Sequence, residues 1–208
     1  MLVAHRRPDT GAIQPLQVHC LSVAKLCSEL CKIIGLEKLG YLTGLLHDAG
    51  KSQDLGQRRI MGLTDERVNH SSAGMRWLME RAVKAPASTY LAAQMAAIAI
   101  GCHHGVRCDM LSPLGHESWK DRLHLGSADE NYAECVQRFF SEVIPEYEAE
   151  ALLEQALTDA APDGLILPFA ENYRYLAPLL ENRPDTQAIA ELGRLSEARR
   201  TRPAALAG

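Results

Sequence analysis

Residues 88–104, STYLAAQMAAIAIGCHH, are apolar on nearly every side of a helical wheel, and a helix of that kind belongs at the centre of a helical bundle. Its longest apolar run, Tyr90 to Ile100, contains Gln94 and falls short of a membrane span, so protein must supply the surroundings. The helix stops at Gly105.

The neighbouring segments fit such a bundle. From Leu16 to Ile34 apolar residues recur at helical spacing, and His19, Val23, Leu26, Leu30 and Ile33 share one stripe, which predicts that His19 faces inward. A second helix is predicted from Leu39 to Asp48, closed by Gly50 as a left-handed cap. Ser71 and Ser72 suit the cap of a third, with His70 at its entrance. Ser127, followed three residues later by Glu130, has the capping-box pattern of a helix reaching Phe140, and another pattern spans Glu146 to Asp159. Leu165 to Leu180 is apolar but interrupted by Pro168 and Pro178. No run combines alternation with β-branched enrichment, so the expected fold class is all-α.

The 208 residues, 47% hydrophobic and 23% charged, suit one domain of about residues 1–190 with a frayed tail over 191–208. A net charge of −4 gives no global footprint for nucleic acid, and local pairs such as Arg6-Arg7 and Arg58-Arg59 are first read as solvated surface. The N-terminus lacks a signal-peptide core, so a cytoplasmic protein is expected. Six cysteines without a CxxC pair point to reduced core thiols rather than a cysteine-rich zinc site.

One stretch, GLLHDAGKS at residues 44–52, admits two chemistries. Its ending, Gly-Lys-Ser, is that of a phosphate-binding P-loop, but five residues instead of four follow the first glycine, and a helix rather than a strand precedes it. Its centre, His47-Asp48, suits a metal site. With eight histidines and ten aspartates a chance His-Asp pair is expected roughly 0.4 times, so the dipeptide alone decides nothing. The constellation decides more: His19 on an apolar face, His47-Asp48 and His103-His104 closing helices, and His70 opening one. Neutral imidazoles suit zinc, iron, nickel, cobalt or manganese, and one aspartate can share its oxygens between two ions. Two such ions, about 3.5–4 Å apart, can clamp a phosphodiester and activate water.

In order and approximate spacing, AHRRPDTGAIQPLQVH, GLLHDAGK, NHSSAG and GCHHG resemble the HD-domain nuclease of type I CRISPR interference, a branch of the HD phosphohydrolase superfamily found alone or as the N-terminal part of a nuclease-helicase. The similarity covers about residues 1 to 110. It implies an HD-domain helical bundle in which His19, His47 and Asp48 hold one metal ion, and in which Asp48 bridges to a second held by His70, His103 and His104. Asp48 and Lys51 would be the catalytic pair, Lys51 reaching the scissile phosphate or the attacking water. The implied cofactors are two divalent transition metal ions (Mn, Ni, Co, Fe or Zn, with Mg as a further option). Implied partners are single-stranded DNA, a CRISPR helicase and the RNA-guided surveillance complex.

His5 and Gln14 belong to the matching opening element but are assigned only packing or the support of the ligating side chains. Ser71 and Ser72 are placed to hydrogen-bond near the site. The family's downstream Ser-x-Leu-x-Asp-Ala-Asp-like element, which completes the first metal site, has no counterpart; Asp159 in LTDAAPDG, then Asp129 and Asp109, are the nearest candidates, and the C-terminal part reads as divergent or truncated. Alternative functions are an HD phosphohydrolase of nucleotides and a decayed module without turnover.

Overall fold

The computed structural model describes residues 1–85, 87–104, 117–124 and 126–160. An antiparallel hairpin, β1 (Val3–Arg6) and β2 (Ile13–Pro15), leads directly into helix α1 (Leu16–Cys31). It pairs His5 with Gln14 and Arg6 with Ile13, with an irregularity in register between Val3 and His5. Strands of four and three residues are too short to show a period, and this sheet was not expected. Apart from it the regular elements among the described residues are helical, as the all-α reading requires: α2 (Glu37–Leu46), α3 (Asp54–Ile60), α4 (Ser72–Ala82), α5 (Ala87–Gly101), α6 (Ser127–Glu130), α7 (Tyr132–Glu142) and α8 (Glu146–Ala160).

Helix α1 packs on α2 through the line Leu16, Cys20 and Ala24, all fully buried. This is not the predicted stripe. Leu26, Leu30 and Ile33 are 61%, 64% and 89% exposed, and His19 lies half-buried beside the inner line. The reason is proximity: a Cβ on Gly44 would lie 2.7 Å from the Val23 carbonyl oxygen, and one on Gly40 2.6 Å from that of Cys27. Backbones that close accept only small residues between them, so the large apolar side chains of α1 point outward.

Helix α5 packs on α4, α2 and α8 with Leu91, Ala92, Ala93, Ala96, Ala97 and Ile100 buried, but Met95 is 46% exposed. A helix this rich in alanine carries little apolar area on any one face, and one edge stays at the surface. Trp77 on α4 is buried and donates its indole N–H to Glu146 at 3.0 Å, which ties α4 to α8 beside the Arg81–Glu150 ion pair at 2.9 Å.

Three local expectations change. Gly50 is not a left-handed cap, because the described glycines with positive φ are Gly11, Gly35, Gly62 and Gly126. It lies in a 3-10 turn, Ala49–Ser52, which follows helix α2 and so also excludes a strand-borne P-loop. The predicted cap by Ser71 or Ser72 is made instead by Asn69, whose Oδ1 accepts from the Ser71 and Ser72 N–H groups at 3.2 and 3.3 Å. The helix expected from Ser127 to Phe140 is divided at Asn131, which has non-helical backbone and donates its side-chain amide to Gln53 at 3.3 Å. Gly105, Asp109, Cys108, Leu165–Leu180 and the 191–208 tail lie outside the described residues. No helix among the described residues is long and apolar enough to cross a membrane.

Candidate metal centre

The ends of α1, α2, α4 and α5 that carry histidines meet at one point, Asp48. The residue follows the C-cap of α2, and its side chain is 2% exposed. Burial alone pushes its carboxyl pKa up, but the surrounding imidazoles of His103, His19 and His47 outweigh burial and hold it well below the usual carboxylate range. Asp48 is therefore an anion at any working pH.

Its two oxygens serve different groups. Oδ2 lies 3.0 Å from His19 Nε2 and 3.1 Å from His47 Nε2, and those two nitrogens are 3.1 Å apart. Ligands about 2.1 Å from one cation and at right angles are about 3.0 Å from each other, so this triangle fits one ion. Oδ1 lies 3.5 Å from His103 Nε2 and 3.6 Å from His70 Nε2, while His70 and His104 bring their Nε2 atoms to 2.5 Å. The wider spacings are near the roughly 3.4 Å between tetrahedral ligands at the same bond length.

The donor set passes a chemical test as well. His47 donates Nδ1–H to the Gly44 carbonyl at 2.8 Å, and His103 donates Nδ1–H to the Ile100 carbonyl at 2.7 Å. Each neutral ring then presents a lone pair at Nε2. Asp48 Oδ1 and His103 Nε2 are both buried without a hydrogen-bond partner and lie 3.5 Å apart, and a cation between them would satisfy both. Burial lowers the His70 pKa to about 4 and also depresses that of His104, so both are neutral at pH 7, as metal binding would require.

Lys51, in the 3-10 turn, is almost buried and places Nζ 2.8 Å from Asp48 Oδ2, with the Ala4 carbonyl at 3.3 Å and His5 Nε2 at 3.4 Å. The turn is held by Gln53, which donates to the Gly50 and Asn69 carbonyls at 2.9 and 3.0 Å, and by Ser52, which lies between the Ala49 and Cys135 carbonyls. Gln57 on α3 reaches both sides of the site: it donates to the Lys51 carbonyl at 2.7 Å and exchanges bonds with Val3 at 2.8 and 3.0 Å. That pins the hairpin over the metal centre.

Residues 17–138 match the HD domain family. The chain is an HD-domain protein. Its family makes it a metal-dependent hydrolase of the phosphohydrolase type, and its histidine and aspartate clusters could hold the metal. Comparison with curated proteins and with solved structures yields no significant match.

Within this HD domain the structure brings together His19, His47, Asp48, Lys51, His70, His103 and His104. Ser71 and Ser72 are near it but bond to Asn69. Asp159 pairs with Lys38 at 2.9 Å, and Asp129 pairs with Arg76 at 2.6 Å and His124 at 2.9 Å, so neither carboxylate closes on the first triangle. The residue underrated from sequence is His5. Its ring stands edge-on to His19 at 4.8 Å, and it joins His19 and Asp48 in a second possible ligand group. Burial, then the Lys51 charge, lowers its pKa. The signal available was the Pro-Asp-Thr-Gly turn at 8–11, which folds the strand carrying His5 back beside Gln14 and so towards α1.

Proposed function

We propose that this HD-domain protein is a nuclease that cleaves single-stranded DNA in CRISPR interference, fed by a helicase and the RNA-guided surveillance complex. The observation that carries the reading is the division of Asp48, one oxygen facing His19 and His47 and the other facing His70 and His103. The four sequence elements shared in order with that nuclease family, including the doubled histidine at 103–104, support the narrower assignment.

In this reading His19, His47 and Asp48 would hold one ion, and Asp48, His70, His103 and His104 would hold the other. The ion pair, when bound, supplies Lewis acidity and a water of lowered pKa for attack on phosphorus. The chain's own residues do the positioning. His47 and His103 keep Nε2 directed inward because Nδ1 is committed to a helix-terminal carbonyl. Lys51 fixes the bridging carboxylate at 2.8 Å and faces the adjoining cleft, where its ammonium can contact a non-bridging phosphate oxygen. A net charge of −4 suits a protein that receives its strand already unwound by a partner.

The test is incubation of the purified chain with single- and double-stranded DNA and manganese, nickel or cobalt, beside His47→Ala and Asp48→Ala. Metal-dependent cutting of single strands that both substitutions abolish is expected. No cutting by the wild type, or equal cutting by the variants, overturns the reading. Release of phosphate from deoxynucleotides without strand scission would replace it with a nucleotide phosphohydrolase.

A further inference from the structure

Beside the metal centre an open cleft of about 570 Å³ lies between β1, α3 and the loop before α4. Its inner end is His70 and Lys51, both within reach of Asp48, and its walls carry Arg6, Arg59 and Arg67. A second cleft of about 370 Å³ shares His5 and Arg6 with the first and adds Arg7 and Gln14. Among the described residues no aspartate or glutamate lines either cleft, although the chain has 26 acidic against 22 basic side chains. Arg6, Arg7, Lys51, Arg59 and Arg67 are thus gathered on one side of the site.

Two of these arginines are held in place. Arg6 donates Nη1–H to the Met61 carbonyl at 3.4 Å, and its guanidinium lies within 4.0 Å of where Cβ atoms on Gly11 and Gly62 would stand, at two left-handed turns. Arg59 donates from Nη1 to the carbonyls of Asp65 and Glu66 at 2.6 and 2.7 Å, clamping the loop that carries Arg67. A guanidinium has five N–H groups, so each arginine anchored through Nη1 retains donors for a phosphate. The hairpin bearing Arg6 and Arg7 precedes the first residue of the HD-domain match, whereas Arg59 and Arg67 lie within it.

We propose that the two clefts form one track for the phosphate backbone of a single strand, with Arg6, Arg59 and Arg67 each neutralising a phosphate and Lys51 receiving the one at the metal centre. The inference rests on the nuclease reading and deepens it. Two basic clefts in series through Arg6 suit a polymer, because a lone nucleotide would occupy only the inner one.

Binding separates this from catalysis. Wild type, Arg6→Gln, Arg59→Gln, Arg67→Gln and the triple variant are stripped with EDTA, and anisotropy of a fluorescein-labelled dT20 strand is followed from 25 to 250 mM salt. For single strands log K falls with log salt by about 0.7 per neutralised phosphate, so each single variant should lower the slope by about 0.7 and the triple by about 2. Lys25→Gln, exposed on α1 away from the clefts, should leave it unchanged. Thymidine monophosphate should not displace the strand. Unaltered slopes in the arginine variants, an equal loss in Lys25→Gln, or no binding by wild type overturns the track. A lowered slope in a wild-type background that cuts no DNA with manganese would leave the track standing and remove the nuclease reading. Cutting with unaltered slopes would do the reverse.

Discussion

Replacing Gly50 by alanine should separate the two halves of the metal centre. The Gly50 N–H donates to the His70 carbonyl at 3.1 Å, and a Cβ at position 50 would stand 2.4 Å from that oxygen, 2.6 Å from the His70 Cα and 2.7 Å from its carbonyl carbon. Backbone cannot yield as a flexible side chain can, so the segment carrying His70 must retreat by about 1 Å to restore contact distance. Overpacking of this kind costs about 1–3 kcal/mol, and loss of the hydrogen bond adds about 1 kcal/mol. A total of about 2–4 kcal/mol corresponds to a melting temperature lower by roughly 5–15 °C in a chain of this size. The functional effect should exceed the thermal one in selectivity. His70 would leave Asp48 Oδ1 while His19 and His47 keep Oδ2, and a misplacement of about 1 Å costs on the order of 100-fold in rate. Calorimetric titration with manganese should therefore show one ion retained near wild-type affinity and the other weakened, with cleavage down about 100-fold. A Gly50→Ala protein that melts within 2 °C of wild type, binds both ions and cuts at a comparable rate would refute the claim that this backbone contact sets the position of His70.

Other outcomes follow from the same geometry. Asp48→Asn removes the charge that both groups share, so metal content after dialysis should fall at both positions together, whereas His104→Ala should weaken only one; loss of a single ion from Asp48→Asn would show that the carboxylate does not bridge. His5→Ala should weaken the ion at His19 and His47 by about tenfold, as removal of a supporting ligand does, without affecting the other; equal titration curves for variant and wild type would confine His5 to packing. For pH, His70 titrates near 6.5 when unfolded and at about 4 in the fold, so the native state binds fewer protons between those values. The stability from keeping it neutral is present above pH 6.5 and is lost as pH falls through 6.5 to 4, by up to about 3 kcal/mol. Stripped protein should melt progressively lower over that window, and a His70→Gln variant should show a flatter dependence; parallel curves would remove His70 as the source.

The sequence made the helices legible because apolar spacing survives in any register of packing, and α1, α2, α4, α5 and α8 all lie where that spacing put them. It misjudged which stripe of α1 turns inward. Hydrophobic size favoured Leu26, Leu30 and Ile33, but contact with Gly40 and Gly44 of α2 requires the small line through Cys20 and Ala24. Gly50 and His5 were also misread or passed over, because their significance depends on partners far along the chain, such as Lys51 against His5 across 46 positions. No local pattern encodes such a contact.

The histidines were legible for a reason that the structure makes specific. A helix leaves its last carbonyls without intrahelical donors, and near an apolar core each such group must find one. His47 supplies Nδ1–H to Gly44 at the end of α2, and His103 does the same for Ile100 at the end of α5, each reaching three residues back. One bond thus closes the helix, fixes the tautomer and turns Nε2 towards Asp48. A histidine just beyond an apolar helix is therefore positioned by the helix's own unsatisfied end. That explains why the positions of His47 and His103 could be read from where apolar runs stop, while His70, which precedes its helix, depends instead on the backbone contact with Gly50.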